Sequence, residues 1–124
     1  MSAILWVGMG GFLGANARYL LDQWVTNRWP MFFPWGTFII NLTGSFILGF
    51  FLAFAQQRPW VSREVRLLFA VGFVGAYTTF STYAYQSLRL AQSGQMAVAA
   101  IYIAASVALG LIAVFAGVAL GTAI

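Results

Sequence analysis

The sequence predicts an all-α membrane protein with four transmembrane helices in a single domain, residues 1–124. Three observations predict this class: 62% of the 124 residues are hydrophobic, only 6% are charged, and the apolar residues fall into four long stretches. A soluble domain carries about 25% charged residues, so lipid is the expected surrounding for this much apolar surface.

The four apolar stretches cover residues 3–21, 34–55, 65–90 and 96–123. Each has the length of about 20 residues that a helix needs to cross a hydrocarbon core of about 30 Å. The third stretch is longer than this, which predicts a tilt or a break. No basic segment precedes the first stretch, as a cleaved signal peptide would require, so we expect that stretch to be retained.

Short connections separate the four predicted spans. The first, residues 22–35, holds Trp24, Trp29 and Trp35, which are typical of an aromatic belt at the membrane surface. In the second, Ser62 is positioned to cap the next helix and Glu64 to lie in its first turn, where a helix dipole favours an acid. The third is a tight turn at residues 92–94.

The composition argues against catalysis and against nucleic-acid binding. Cysteine and histidine are absent, which removes thiol nucleophiles and the usual metal and proton-transfer groups. Asp22 and Glu64 are the only carboxylates, and we expect both at helix ends, so no acid pair is predicted. The net charge of +4 comes from arginines scattered at the edges of apolar segments rather than clustered in a patch.

The arginines give no preference for membrane orientation. Four spans would place Arg58, Arg63 and Arg66 on one side and Arg18, Arg28 and Arg89 on the other. The positive-inside rule therefore predicts no preferred orientation. Either other signals set the topology, or copies insert both ways and pair antiparallel.

Two pairs of glycines predict close helix contacts. Gly10 with Gly14 and Gly117 with Gly121 each place small residues on one helical face. Such faces serve equally for dimerisation and for packing inside one chain.

Polar residues inside the spans are the candidate functional groups. Thr37, Asn41 and Ser45 form one stripe at helical spacing, which indicates either helix–helix hydrogen bonding or an ion path. Residues 72–83, GFVGAYTTFSTY, combine glycines with hydroxyl side chains, a pattern that favours a broken helix with exposed carbonyls able to bind ions. A kinked helix with back-bonded hydroxyls is the alternative.

Aromatic and polar residues beside this segment could extend the same path. Phe80 and Tyr83 share a helical face, and aromatic ring edges carry positive potential that suits an anion. Tyr102 and Ser106 repeat four residues apart on the fourth span, where interhelical hydrogen bonding is the simpler interpretation. Arg18 either snorkels to the membrane surface or lines an entrance that concentrates anions.

Three motifs resemble those of the CrcB/Fluc family of fluoride channels. They are GTFIIN at residues 36–41 with Gly44, GFVGAYTTFST at residues 72–82, and the pattern of Gly11, Gly14, Ala15 and Arg18. The resemblance covers the whole chain. It implies an antiparallel, dual-topology homodimer in the bacterial inner membrane that exports fluoride passively, through two pores along the subunit interface.

The resemblance also implies roles for individual residues. Asn41 matches a pore asparagine that donates to fluoride, and Phe80 matches a phenylalanine whose ring edge faces the ion. Tyr83 stands where a second phenylalanine is usual. Gly75 and Thr78 match positions whose backbone carbonyls hold a central structural sodium ion. The remaining matches are to pore-lining and entrance positions: Arg18, Thr37, Ser81, Thr82, Tyr102 and Ser106.

Two other functions are compatible with four short helices. A small multidrug-resistance-type exporter needs a carboxylate deep in the membrane, and neither Asp22 nor Glu64 is expected there. A non-conducting membrane scaffold would use Asn41 and the glycine faces for packing alone. It does not explain why an amide, ring edges and hydroxyls share faces suited to an interface.

Overall fold

The computed structural model describes residues 2–30 and 32–124, all of whose regular structure is helical. Met1, and Met31 in the predicted first connection, lie outside the described residues. The elements are α1 (Ser2–Arg28), α2 (Trp35–Gln56), α3 (Arg63–Arg66), a π-helical segment (Leu67–Val74), α4 (Gly75–Tyr77), α5 (Phe80–Gln92) and α6 (Met96–Ala123).

Helix α1 is longer than the sequence predicts. It continues to Arg28, so Asp22 and Trp24 are helical, and the prediction that Asp22 lies at a helix end is wrong. The polar residues after position 21 look like a connection, but they are compatible with helix, and the first strong helix breaker is Pro30. The side chain of Val25 is 1% exposed, so the added turns are packed against the protein.

The other predicted connections are confirmed in their details. The Ser62 hydroxyl accepts a hydrogen bond from the Val65 amide at 3.3 Å, and Glu64 lies in the first turn of α3. Gly94 has a φ of 84°, the left-handed conformation that a tight turn requires and that glycine adopts at little cost.

The chain between α3 and α5 changes conformation twice. The π-helical segment passes directly into α4, which ends at Tyr77. Thr78 and Thr79 then have extended backbone, with ψ of 158° and 119°, before α5 begins at Phe80. The hydroxyl-rich stretch of the sequence therefore coincides with an interruption in helical backbone.

Two pairs of elements form most of the tertiary structure, α2 with α6 and α1 with the π-helical segment. At Gly10 a side chain would collide with the Leu68 carbonyl, and at Gly14 with the Phe73 carbonyl. A side chain at Gly117 or Gly121 would likewise collide with backbone carbonyls of α2. Both glycine pairs therefore pack helices within the chain, which decides between the two roles left open by the sequence.

The described helices carry much apolar surface that the chain itself leaves uncovered. Phe12, Leu111 and Phe115 are 70%, 67% and 75% exposed. Three helical stretches are long and apolar enough to cross a membrane: Trp35–Gln56, Arg63–Gln92 and Met96–Ala123. α1 is long enough, at 27 residues, but its glycines and polar side chains make it less apolar.

Candidate functional site

The interruption between α4 and α5 is held by the side chain of Asn41 on α2. Its Nδ2 donates to the Thr79 carbonyl and its Oδ1 accepts from the Thr79 amide, both at 2.9 Å. One amide side chain thus satisfies both backbone groups of a residue that has left the helix. The pairing also fixes which end of the amide is the donor.

The same hydrogen bonds release carbonyl groups from the helical pattern. In a continuous helix the Thr79 amide would donate to Gly75, but here it donates to Asn41. The Thr82 amide, which would donate to Thr78, instead donates to the Thr79 hydroxyl at 3.2 Å and caps α5. The carbonyls of Gly75 and Thr78 are thereby left without their helical donors.

Beside the interruption lies an open groove of about 340 Å³ between α2, α5 and α6. Its lining contains five of the predicted pathway or ion-binding positions: Asn41, Thr78, Phe80, Tyr83 and Ser106. The other lining residues are Gly44, Ser45, Leu48, Val74, Thr79, Val107 and Val114.

The two aromatic side chains of the groove form a connected series with Tyr102, which does not line the groove. The ring centres of Phe80 and Tyr83 are 5.8 Å apart in a tilted arrangement, and those of Tyr83 and Tyr102 are 5.2 Å apart in an edge-to-face arrangement. Phe80 is 78% exposed at the rim. The Tyr83 hydroxyl donates to the Ile103 carbonyl at 3.1 Å, so the group that distinguishes it from phenylalanine ties α5 to α6.

The two polar residues of α6 have different environments. Tyr102 has 0% exposure, and its hydroxyl donates to Gln86 at 2.8 Å. The buried Ser106 hydroxyl has no hydrogen-bond partner among the described residues, and it faces the groove. A buried hydroxyl without a partner is unfavourable by about 1–3 kcal/mol, so Ser106 is available to a polar species in the groove.

Other predicted residues line a separate cavity of about 130 Å³ between α1, α2 and α5. They are Arg18, Thr37 and Thr82, joined by Tyr19, Asp22, Ile40 and Thr79. The Arg18 side chain is half-buried, and its Nε donates to the Ala76 carbonyl at 3.1 Å. Arg18 therefore reaches toward the interruption, rather than extending along the helix to the membrane surface.

The stripe on α2 connects the two spaces. Thr37 lines the cavity, Asn41 and Ser45 line the groove, and Thr79 borders both. Ser81 lies exposed in the first turn of α5 and lines neither. A single chain therefore brings the predicted residues into two neighbouring sets and not into one closed path.

Three polar residues that bind or lie beside the predicted site residues were not assigned a role from the sequence. Thr79 binds Asn41 and caps α5, Gln86 binds Tyr102, and Asp22 lines the cavity with Arg18. Gln86 carried a usable signal, because it is a polar residue three positions after Tyr83 in an apolar stretch. Asp22 carried none, since its place depends on where α1 ends.

Comparison with known sequences identifies the family. A family described as "CrcB-like protein, Camphor Resistance (CrcB)" matches residues 5–118. The chain belongs to the CrcB family. The matched region includes every residue of the groove and of the cavity.

Curated CrcB relatives named "Fluoride-specific ion channel FluC" are similar over most of their length. The protein of Acidobacterium capsulatum is 48% identical over 97% of this chain and 96% of its own length. That of Koribacter versatilis is 52% identical over 73% and 71%, and that of Rhizobium meliloti 44% over 97% and 96%.

Proposed function

We propose that this chain forms a fluoride-specific ion channel that lets fluoride leave the bacterial cell passively across the inner membrane. The relatives named above carry that activity in their names, and two of them align with 97% of this chain. The chain is a multi-pass membrane protein and not an enzyme, since CrcB is a family of channels.

The observation that carries the proposal is the groove around Asn41. One N–H of its amide donates to the Thr79 carbonyl, the second has no acceptor among the described residues, and Asn41 lines the groove. Fluoride is small and strongly hydrated, so a selective path must replace its water with hydrogen-bond donors and ring edges. Asn41, the Ser106 hydroxyl and the Phe80 ring supply these without a full positive charge that would trap the ion.

Other residues extend this path on either side of the groove. We assign Thr37, Thr82 and Arg18 to the cavity end, where hydroxyls and one guanidinium receive the ion. Tyr83 and Tyr102 contribute ring edges along the aromatic series. We assign Ser81, which is exposed on the first turn of α5, to the part of the path that a second subunit would complete.

The working unit in this proposal is an antiparallel homodimer. Each chain crosses the membrane four times, α1 included, with the third crossing interrupted at Thr78 and Thr79. The groove is open on one side and Phe80 is largely exposed, as expected for half of a path that a second copy closes. The balanced arginines are consistent with insertion in both orientations.

The released carbonyls support a structural sodium ion at the centre of the dimer. Oxygen ligands from Gly75 and Thr78 suit a hard cation, and Gly75 is exposed, so its carbonyl can face a second copy. When bound, sodium would supply a fixed positive charge joining the two interruptions. Asn41, by holding Thr79, keeps both carbonyls in place.

The direct test is fluoride efflux from liposomes that contain the purified protein, with chloride as the comparison anion. The wild type is expected to release fluoride and to retain chloride. Asn41→Ala removes both hydrogen bonds to Thr79 and a donor in the groove, so we expect efflux to fall at least tenfold, equivalent to about 1.4 kcal/mol. Equal chloride efflux, or none of either ion from folded protein, refutes the proposal.

A matched control is Thr43→Val on the same helix. Thr43 bonds to the Tyr77 hydroxyl at 2.9 Å but lies outside the groove, so it tests loss of polar contact between α2 and α4 alone. We expect the variant to retain its efflux. If Asn41→Ala still forms dimers but has lost flux, the scaffold alternative is excluded as well.

A further inference from the structure

Because α1 continues to Arg28, Asp22 lies within the helix and packs against the rest of the protein. Its side chain is half-buried and lies against the start of α2, where a Cβ on Gly36 would collide with the Asp22 carboxylate. Gly36 is itself buried, and a larger residue at this point would force the Asp22 carboxylate to move. The absence of a side chain at Gly36 therefore leaves space beside α2 for the Asp22 carboxylate.

Asp22 and Arg18 share one small cavity. They are four residues apart on α1, hence on the same face, and both line the space of about 130 Å³. Among the described residues, the hydrogen bond of Arg18 goes to the Ala76 carbonyl and not to Asp22. The two charges thus face the same space without being joined in a hydrogen-bonded pair.

The presence of both charges changes the electrostatic potential that the cavity presents to an anion. Arg18 alone would raise the local concentration of any anion, chloride included. A carboxylate on the same face lowers that potential, so capture then depends more on hydroxyl donors such as Thr37 and Thr82. Hydroxyl donors favour a small, strongly hydrogen-bonding anion, whereas net positive charge does not discriminate in this way.

We propose that Asp22 is a specificity-determining residue of the anion path, whose carboxylate offsets Arg18 and limits capture of anions at the cavity. This inference rests on the proposed channel function. A purely structural role for Asp22, as a favourable charge near the N-terminus of α2, is the competing explanation.

The test compares Asp22→Asn with Glu64→Gln, which makes the same charge change at an exposed carboxylate in the first turn of α3. Fluoride efflux from liposomes is measured at low fluoride, with an impermeant-anion salt at about 10 mM or about 300 mM. We expect Asp22→Asn to raise the initial rate roughly threefold at low salt, with the difference shrinking at high salt. External chloride should inhibit this variant more strongly than the wild type.

Two results overturn the inference while leaving the channel function standing, and a third tests the channel function itself. If the wild type conducts but Asp22→Asn behaves like Glu64→Gln at both salt concentrations, the inference is wrong. Reduced thermal stability with unchanged rate and chloride inhibition supports the structural role and also overturns it. If the wild type carries no fluoride, the proposed function itself fails. Should Asp22→Asn not fold, Asp22→Ser provides the same neutralisation with a smaller side chain.

Discussion

Thr79 shows how much of the site depends on one residue. Its amide and carbonyl are both bound to Asn41, and its hydroxyl caps α5 through the Thr82 amide. These bonds provide partners for both backbone groups of a residue that has left the helix. The carbonyls of Gly75 and Thr78 lose their helical donors, and the proposed sodium site uses them.

The hydroxyl of Tyr83 makes a separable contribution. Tyr83→Phe retains the ring beside Phe80 but removes the hydrogen bond to the Ile103 carbonyl. We expect the free energy of unfolding to fall by about 0.5–1.5 kcal/mol while fluoride efflux persists. Thermal unfolding in detergent and the liposome assay measure the two effects. A complete loss of efflux would show that the hydroxyl, and not the ring, is the functional group.

At the scale of elements, the π-helical segment is the unusual feature. In it the Gly75 amide donates to the Ala70 carbonyl, five residues earlier, and the wider turn leads directly into α4 and the interruption. π-Helical turns are less favourable than α-helix and are often found at functional sites. Here the segment is packed against α1, where Gly72 would bring a Cβ within 2.6 Å of the Val7 carbonyl.

This close packing predicts a large difference between two glycines of α1. Gly10→Ala would push a methyl group into the Leu68 carbonyl of the π-helical segment, whereas Gly8 has open space around it. We expect Gly10→Ala to destabilise the protein by about 1–3 kcal/mol. Gly8→Ala should be neutral or stabilising by up to about 1 kcal/mol, because alanine favours helix. Equal melting temperatures for the two variants would contradict the packing described here.

At the scale of the whole molecule, one chain has an open groove, exposed apolar faces and released carbonyls. All three are explained if a second copy covers the groove, lipid covers the remaining apolar surface and a cation binds the carbonyls. The glycine pairs are already used inside the chain. In the proposed dimer, we therefore expect the contact between subunits to lie on the groove side of α2, α5 and α6.

The proposed dual topology can be tested by labelling a single introduced cysteine, because the sequence has no cysteine of its own. Gln92→Cys places one thiol at an exposed position at the end of α5. In intact cells, a membrane-impermeant thiol reagent should label about half of the molecules, because the two orientations are equally populated when charge gives no bias. Labelling of all molecules or none would show a single orientation.

The sequence predicts the helical elements well and their ends less well. Ser62 and Gly94 gave correct local predictions, because caps and turns depend on neighbouring residues. The end of α1 was predicted too early, because its last turns are stabilised by burial of Val25 against other parts of the chain. For this reason the sequence did not predict that Asp22 lies within α1 and lines the cavity.

The sequence by itself determined the membrane class, the family and the identities of the polar groups, since composition and motif spacing are properties of the chain alone. The tertiary structure decided which groups those residues bind. Asn41 reaches Thr79 across 38 positions of sequence, and Arg18 reaches Ala76 across 58. These contacts decide which carbonyls are released and place Asp22 beside Arg18 in one cavity, because they depend on how distant helices pack and not on any local pattern.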